Sequence, residues 1–237
     1  MEHEHTPEAI RARLADGPRP SYLRDWVYGG IDGAVTTFAV VTGVVGADLA
    51  TTVILILGIA NLLGDGFSMA ASNYLGTRTE RQEKDFLHAQ ETRHIAIDPE
   101  GEREEVRQIF ATKGFDGQDL ERVVEVVTAD HERWIRFMLT EEHGLPHQIR
   151  SASRAAWSTF NAFVLCGIVP LLPFVLDIAH PFAVSMAVTL VVFFAVGSAR
   201  SRWLILPWWR AGLETLAIGA IAAALAYGAG TVIGRVV

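Results

Sequence analysis

Long apolar runs alternate with charged segments along this chain. Five stretches, roughly residues 25–47, 52–75, 155–177, 181–199 and 211–233, are nearly free of charge and apolar on all sides. A helix on the surface of a soluble domain is apolar along one stripe only. A membrane-spanning helix needs about 20 mostly apolar residues, because hydrocarbon offers no partner to a bare backbone. The pattern therefore predicts an all-α, polytopic membrane protein with five transmembrane helices. Short 1–2 and 3–4 connections predict two hairpins. Pro170 and Pro173 predict an interruption in the third span. Gly29, Gly30, Gly33, Gly43 and Gly46 in the first span, with Gly58, Gly64 and Gly66 in the second, predict closely packed helices.

Between the second and third spans the pattern changes to that of a small helical domain. Asp98-Pro99 reads as an N-cap followed by a proline in the first turn, and Gly114 closes that helix. Leu120, Val123, Val124 and Val127 recur at helical spacing. Asp130 caps a further helix that ends before Gly144-Leu145-Pro146. The expected organisation is residues 1–75 with the first two spans, 76–154 as a cytoplasmic helical metal-binding domain whose first helix continues out of the second span, and 155–237 with the last three spans.

Composition sharpens this picture. Half of the 237 residues are hydrophobic although the chain holds 20 Lys+Arg and 27 Asp+Glu. Residues 76–150 hold 17 Asp+Glu against 11 Lys+Arg, so most of the net charge of −7 sits in the insert. That balance excludes nucleic acid as an expected partner, and the hydrophobic content excludes a disordered chain. Nineteen of the 20 basic residues fall on one side of the predicted spans, among them Arg11, Arg13, Arg19, Arg24, Arg200, Arg202 and Arg210, with Arg235 alone opposite. The positive-inside rule then places the N-terminus and the insert in the cytoplasm and the C-terminus outside. Trp26, Tyr28, Trp203, Trp208 and Trp209 near span ends read as interfacial anchors. The lone Cys166 lies in an apolar run and reads as packing, and the polar first 20 residues predict no cleavable signal.

Candidate chemistry starts inside the spans. Asp32 lies deep in the first, where an acid costs about 2.5–3.5 kcal/mol unless it meets a cavity, a partner or an ion. Asn61, Asp65 and Met69 stand at i, i+4 and i+8 of the second span, on one helix face. Amide and carboxylate oxygens with a thioether suit a hard or borderline cation. The insert offers three more faces: Glu91 and His94 at i, i+3, Glu102 and Glu105 at i, i+3, and Met138 and Glu142 at i, i+4. Together they would form an oxygen-rich pocket with one imidazole and one thioether, suited to Fe2+, Mn2+ or Zn2+ rather than Ca2+ or Mg2+. Taken alone, glutamates on such helices read as a solvated face.

The order of parts, RDWVYGGIDGAVTTFAVVTGVVGA, then NLLGDGFSMAASNYLGTRTE, then an acidic helical insert and three further spans, resembles the vacuolar iron transporter family from about residue 22 onward. The resemblance implies a homodimer of five-span subunits with an ion path between protomers. It further implies that Fe2+ leaves the cytosol in exchange for protons and that the insert collects the ion. Residue by residue, Asp32 and Met69 match path residues of the family, and Asp25 matches an aspartate at the cytoplasmic mouth. Glu91, His94, Glu102, Glu105, Met138 and Glu142 match its metal-binding positions. His94 stands where the family has glutamate, Leu139 where it has methionine, and Asn61 where plant members have glutamate, with Asp65 supplying an acid one turn later.

The resulting expectation is a transporter of Fe2+, with Mn2+, Zn2+ and Co2+ as further ions, and no catalytic residue or cofactor. It sits in a lipid bilayer, a prokaryotic plasma membrane being favoured. Protonation of an acid, Asp32 first, weakens the membrane site, since proton and metal compete for the same lone pairs. Two rivals stand beside it. One is a membrane-tethered metal buffer or sensor, which needs only the insert. The other is an intramembrane aspartyl protease built on Asp32 and Asp65.

Overall fold

The computed structural model describes residues 4–16, 20–146, 148–201 and 205–236. Arg19, Arg202 and Trp203 lie outside the described residues. Among the described residues the regular elements are helical: α1 (Pro7–Asp16), α2 (Leu23–Gly46), α3 (Thr51–Ile97), α4 (Pro99–Thr112), α5 (Gly117–Thr128), α6 (His131–Glu141), α7 (Ala152–Gly167), a 3-10 turn (Val169–Leu171), α8 (Leu172–Val175), α9 (Pro181–Arg200) and α10 (Trp208–Ile233). The helices divide into two compact units, Met1–Pro20 with Gly76–Arg150, and Ser21–Leu75 with Ser151–Val237. α3 is one continuous helix of 47 residues. It runs through Gly76, where its apolar first half meets its charged second half, without a break.

Five segments of the described chain are long and apolar enough to cross a membrane: α2, α3, Ala152–Val175, α9 and α10. In the apolar unit α2 packs against α7, α9 and α10. Glycine makes this possible. A Cβ on Gly29 or Gly33 would run into the α7 backbone at Thr159 or Phe163, and one on Gly230 of α10 would meet the backbone of Gly43. Between apolar helices in lipid, such close backbone approach and van der Waals fit supply the attraction. Around the seam lies a core of Phe38, Val41, Leu62, Phe163, Leu171 and Phe193. Cys166 is a free, buried thiol within it. The prolines break the third apolar segment into α7, the 3-10 turn and α8. Ser185 of α9 ties the break down, donating to the Pro170 carbonyl at 2.7 Å. Arg200 pairs with Glu214 between α9 and α10.

Asp25 is buried and accepts from Asn73 Nδ2, which also lies 2.7 Å from Thr159 Oγ1. Arg24 instead lies over the Tyr28 ring. Tyr28, Trp208 and Trp209 are exposed. Trp26 is half-buried against the apolar core. α2 turns that ring inward, toward the helices that pack on it.

The charged unit has its own core of Ile95, Val106, Val124, Val127, Trp134, Ile135, Met138 and Leu139. Its helix ends follow from local chemistry. Asp98 Oδ1 accepts from the Gly101 amide at 3.0 Å, and Asp130 Oδ1 accepts from the Arg133 amide at 2.8 Å. Each satisfies one donor that a helix start leaves open. At the end of α6, Gly144 takes the left-handed conformation. The Leu145 amide then returns to the Leu139 carbonyl at 2.9 Å and satisfies one of the acceptors that the helix end leaves open.

Candidate metal centre

Three helix segments of the charged unit bring acids and imidazoles together. Glu91 and His94 lie one turn apart near the end of α3. The cap at Asp98 reverses the chain, so the first turn of α4 presents Glu102 to the same place. His94 Nδ1 is 3.3 Å from Glu102 Oε1 and 4.0 Å from Glu91 Oε1. From the end of α6, His143 Nε2 lies 3.1 Å from Glu91 Oε1 and 3.8 Å from Glu142 Oε2. Glu91, His94 and Glu102 form one triad and Glu91, Glu142 and His143 another, each with its ligand atoms within 4.8 Å of one another. Two donors bound to one transition-metal ion at about 2.1 Å stand at most about 4.2 Å apart, so small side-chain movements suffice to close either triad on an ion.

The acids are positioned at a cost that a cation would offset. Glu91 is 1 % exposed and Glu102 7 %. Each has a buried Oε2 without a hydrogen-bond partner. A buried polar atom left unpaired costs about 1–3 kcal/mol, and more when charged. Burial, reinforced by Glu105 and Glu91 and opposed by His94, pushes the Glu102 carboxyl up to about 7. Burial also raises the Glu142 carboxyl, against the opposing effect of His143. A cation between these groups would supply the missing positive partner.

The six residues expected to bind metal do not share one environment. Glu91, His94, Glu102 and Glu142 converge as described. Glu105 is exposed and acts on Glu102 and Glu142 through its charge. Its shared helix face with Glu102 does not give it the same burial, because α4 leans on the core at Val106 and Glu102 and turns Glu105 outward. Met138 is fully buried in the apolar core of this unit, with Leu139. His143 was absent from the expected set. Its signal in the sequence is the run Glu141-Glu142-His143-Gly144, an imidazole beside an acid just before a helix-ending glycine.

In the apolar unit the four path residues separate by partner. Asp32 is half-buried on α2. The Asp65 carboxylate lies within electrostatic reach of it and is exposed on α3. Asn61 Nδ2 donates to Thr36 Oγ1 and Thr37 Oγ1, each at 3.2 Å, so its nitrogen is committed to α2. Met69 is half-buried and packs on the apolar core.

Comparison with known proteins gives a consistent assignment. The sequence model of the VIT family matches residues 23–231. The chain is similar to "Vacuolar iron transporter 1" of Arabidopsis thaliana, 32% identical over 209 residues, covering 86% of this chain and 83% of that protein. It is 29% identical over 231 residues to "Vacuolar iron transporter" of Toxoplasma gondii (strain ATCC 50861 / VEG), covering 91% and 76% of the two chains. It is 32% identical over 210 residues to "Vacuolar iron transporter" of Centaurea cyanus, covering 87% and 85%. With a family match spanning both the apolar helices and the acidic cluster, the chain belongs to the VIT family.

Proposed function

We propose that this chain exports Fe2+ from the cytosol across a membrane in exchange for protons, and accepts Mn2+ through the same ligands. Its relatives are named as iron transporters, not as enzymes. The observation that carries the reading for this chain is the buried pair Glu91 and Glu102, each with an oxygen that lacks a partner. Residues 76–154 act as the cytoplasmic capture domain. The ion is drawn from its hydration shell by carboxylates that are already desolvated.

In the membrane, Asp32 and Asp65 replace part of the water shell of the passing ion, with Met69 and the Asn61 carbonyl as weaker donors. Asp65, exposed on an apolar helix, favours a homodimer in which a second copy covers that face. Five spans would place the N-terminus and the capture domain on the cytoplasmic side of a prokaryotic plasma membrane and the C-terminus outside. Protonation of Asp32 from the far side weakens the site and releases the ion.

Flux in sealed proteoliposomes tests this reading. Fe2+, Mn2+, Co2+ and Zn2+ are compared at two internal pH values. Uptake that rises when the receiving compartment is acidic supports exchange with protons, and uptake blind to the gradient removes it. Metal binding without any flux would favour the tethered buffer instead.

A further inference from the structure

The end of α6 adds a group that the acidic cluster was not expected to hold. His143 follows the Glu142 cap, and the left-handed Gly144 with the Leu139–Leu145 closure fixes its direction. Its side chain is 19 % exposed, against 48 % for His94. Its Nε2 faces Glu91 Oε1 at 3.1 Å. Glu91 thus stands between two imidazoles, His94 on its own helix and His143 from α6. The Oε2 atoms of Glu91 and Glu102, buried and unpartnered, leave lone pairs available beside them.

We propose that His143 is a metal ligand of this cluster, and that with His94 it makes the site imidazole-rich, favouring Zn2+ and Co2+ over Mn2+ by a wider margin than carboxylates alone would. The inference rests on the capture role proposed for the insert. Carboxylate oxygen suits hard ions such as Mn2+, whereas imidazole nitrogen suits Zn2+, Co2+ and Fe2+. In the ion-free chain Nε2–H donates to the Glu91 carboxylate. To bind metal the ring keeps one proton but carries it on Nδ1, exchanging it through water, and the Nε2 lone pair turns to the ion. Glu91 then trades a hydrogen bond for an ionic contact.

The competing role for His143 is to hold Glu91 in place by that hydrogen bond alone. His143→Gln separates the two, because glutamine retains an N–H donor for Glu91 and loses the imidazole. Zn2+ and Mn2+ affinities are measured by competition with a chromophoric chelator on the full chain in detergent. His143→Gln is expected to narrow the Zn2+-over-Mn2+ preference by about tenfold, the low end of what second-shell losses alone cost, with Mn2+ affinity nearly unchanged. His94→Gln is expected to narrow it similarly. In the unsubstituted chain, 15N resonances of the His143 ring should show Nε2 shifted by Zn2+ and the proton on Nδ1. Equal losses for both ions, no loss for either, or an Nε2 that keeps its proton with Zn2+ bound would overturn the ligand role while leaving metal capture standing. Failure of the unsubstituted chain to bind either ion would overturn both.

Discussion

Asn73 Nδ2 donates to Asp25 Oδ1 at 2.9 Å, joining α3 to the first turn of α2 across 48 residues of sequence. The same nitrogen reaches Thr159 of α7, so one amide links three helices at one end of the apolar unit. Asp25 is 4 % exposed, so this bond satisfies a buried carboxylate oxygen. Asn73→Ala removes it and is expected to destabilise the chain by about 1–3 kcal/mol. Thermal unfolding in detergent reads the loss. An unchanged midpoint would show that the donor is replaceable.

The α2–α7 seam gives a second prediction. Gly33 meets the Phe163 backbone, whereas Gly64 has nothing within 4 Å of an added Cβ. Gly33→Ala should cost about 1–3 kcal/mol by overpacking a backbone contact. Gly64→Ala should be neutral or slightly stabilising through helix propensity. The two melting curves, measured side by side, check the contrast.

Acid–base linkage in the cluster has a definite sign. Glu102 titrates at about 7 in the folded chain against an ordinary value of 4.5, chiefly through burial. Between those values the folded state holds a proton that the unfolded state has released. The stability this group contributes is therefore present below about 4.5 and lost as pH rises through about 7. Metal-free protein should lower its melting temperature between pH 5 and pH 8, and Glu102→Gln should flatten that trend. Metal affinity has the opposite sign, rising over the same window as the proton leaves.

Glu91 belongs to both triads, and Glu105 belongs to neither. Glu91→Gln should therefore weaken Fe2+ and Mn2+ binding by more than the roughly 10–100-fold typical of second-shell changes. Glu105→Gln, which removes only a nearby charge, should cost far less. Equal effects in a chelator competition assay would place Glu105 among the ligands.

Much of the fold was legible because its signals are local. Asp98-Pro99, Asp130, Gly114 and Gly144 mark helix ends through their own backbone chemistry, and the structure uses each of them. Apolar run length placed the long helical segments within a few residues, except that α3 continues well past the expected end of the second span, to Ile97. The site was legible by helix face but not by depth. Periodicity put Glu102 and Glu105 together, and only the packing around Val106 makes one buried and the other exposed. His143 is hidden in the sequence because its partner, Glu91, is 52 residues away and its own position lies beyond the end of α6, outside any helical periodicity. The Asn61 nitrogen is held by two threonines of the neighbouring helix, a pairing that no single-helix pattern reveals and that leaves the amide oxygen uninvolved.

The central claim is that metal crosses the membrane through this chain and meets Asp32 on the way. Its most direct test is simultaneous recording of Fe2+ entry and proton movement in proteoliposomes holding either the unsubstituted chain or Asp32→Asn. The account predicts Fe2+ entry coupled to proton efflux in the first and loss of both in the second. Fe2+ entry that continues undiminished in Asp32→Asn, or that proceeds with no proton movement in either, would contradict it.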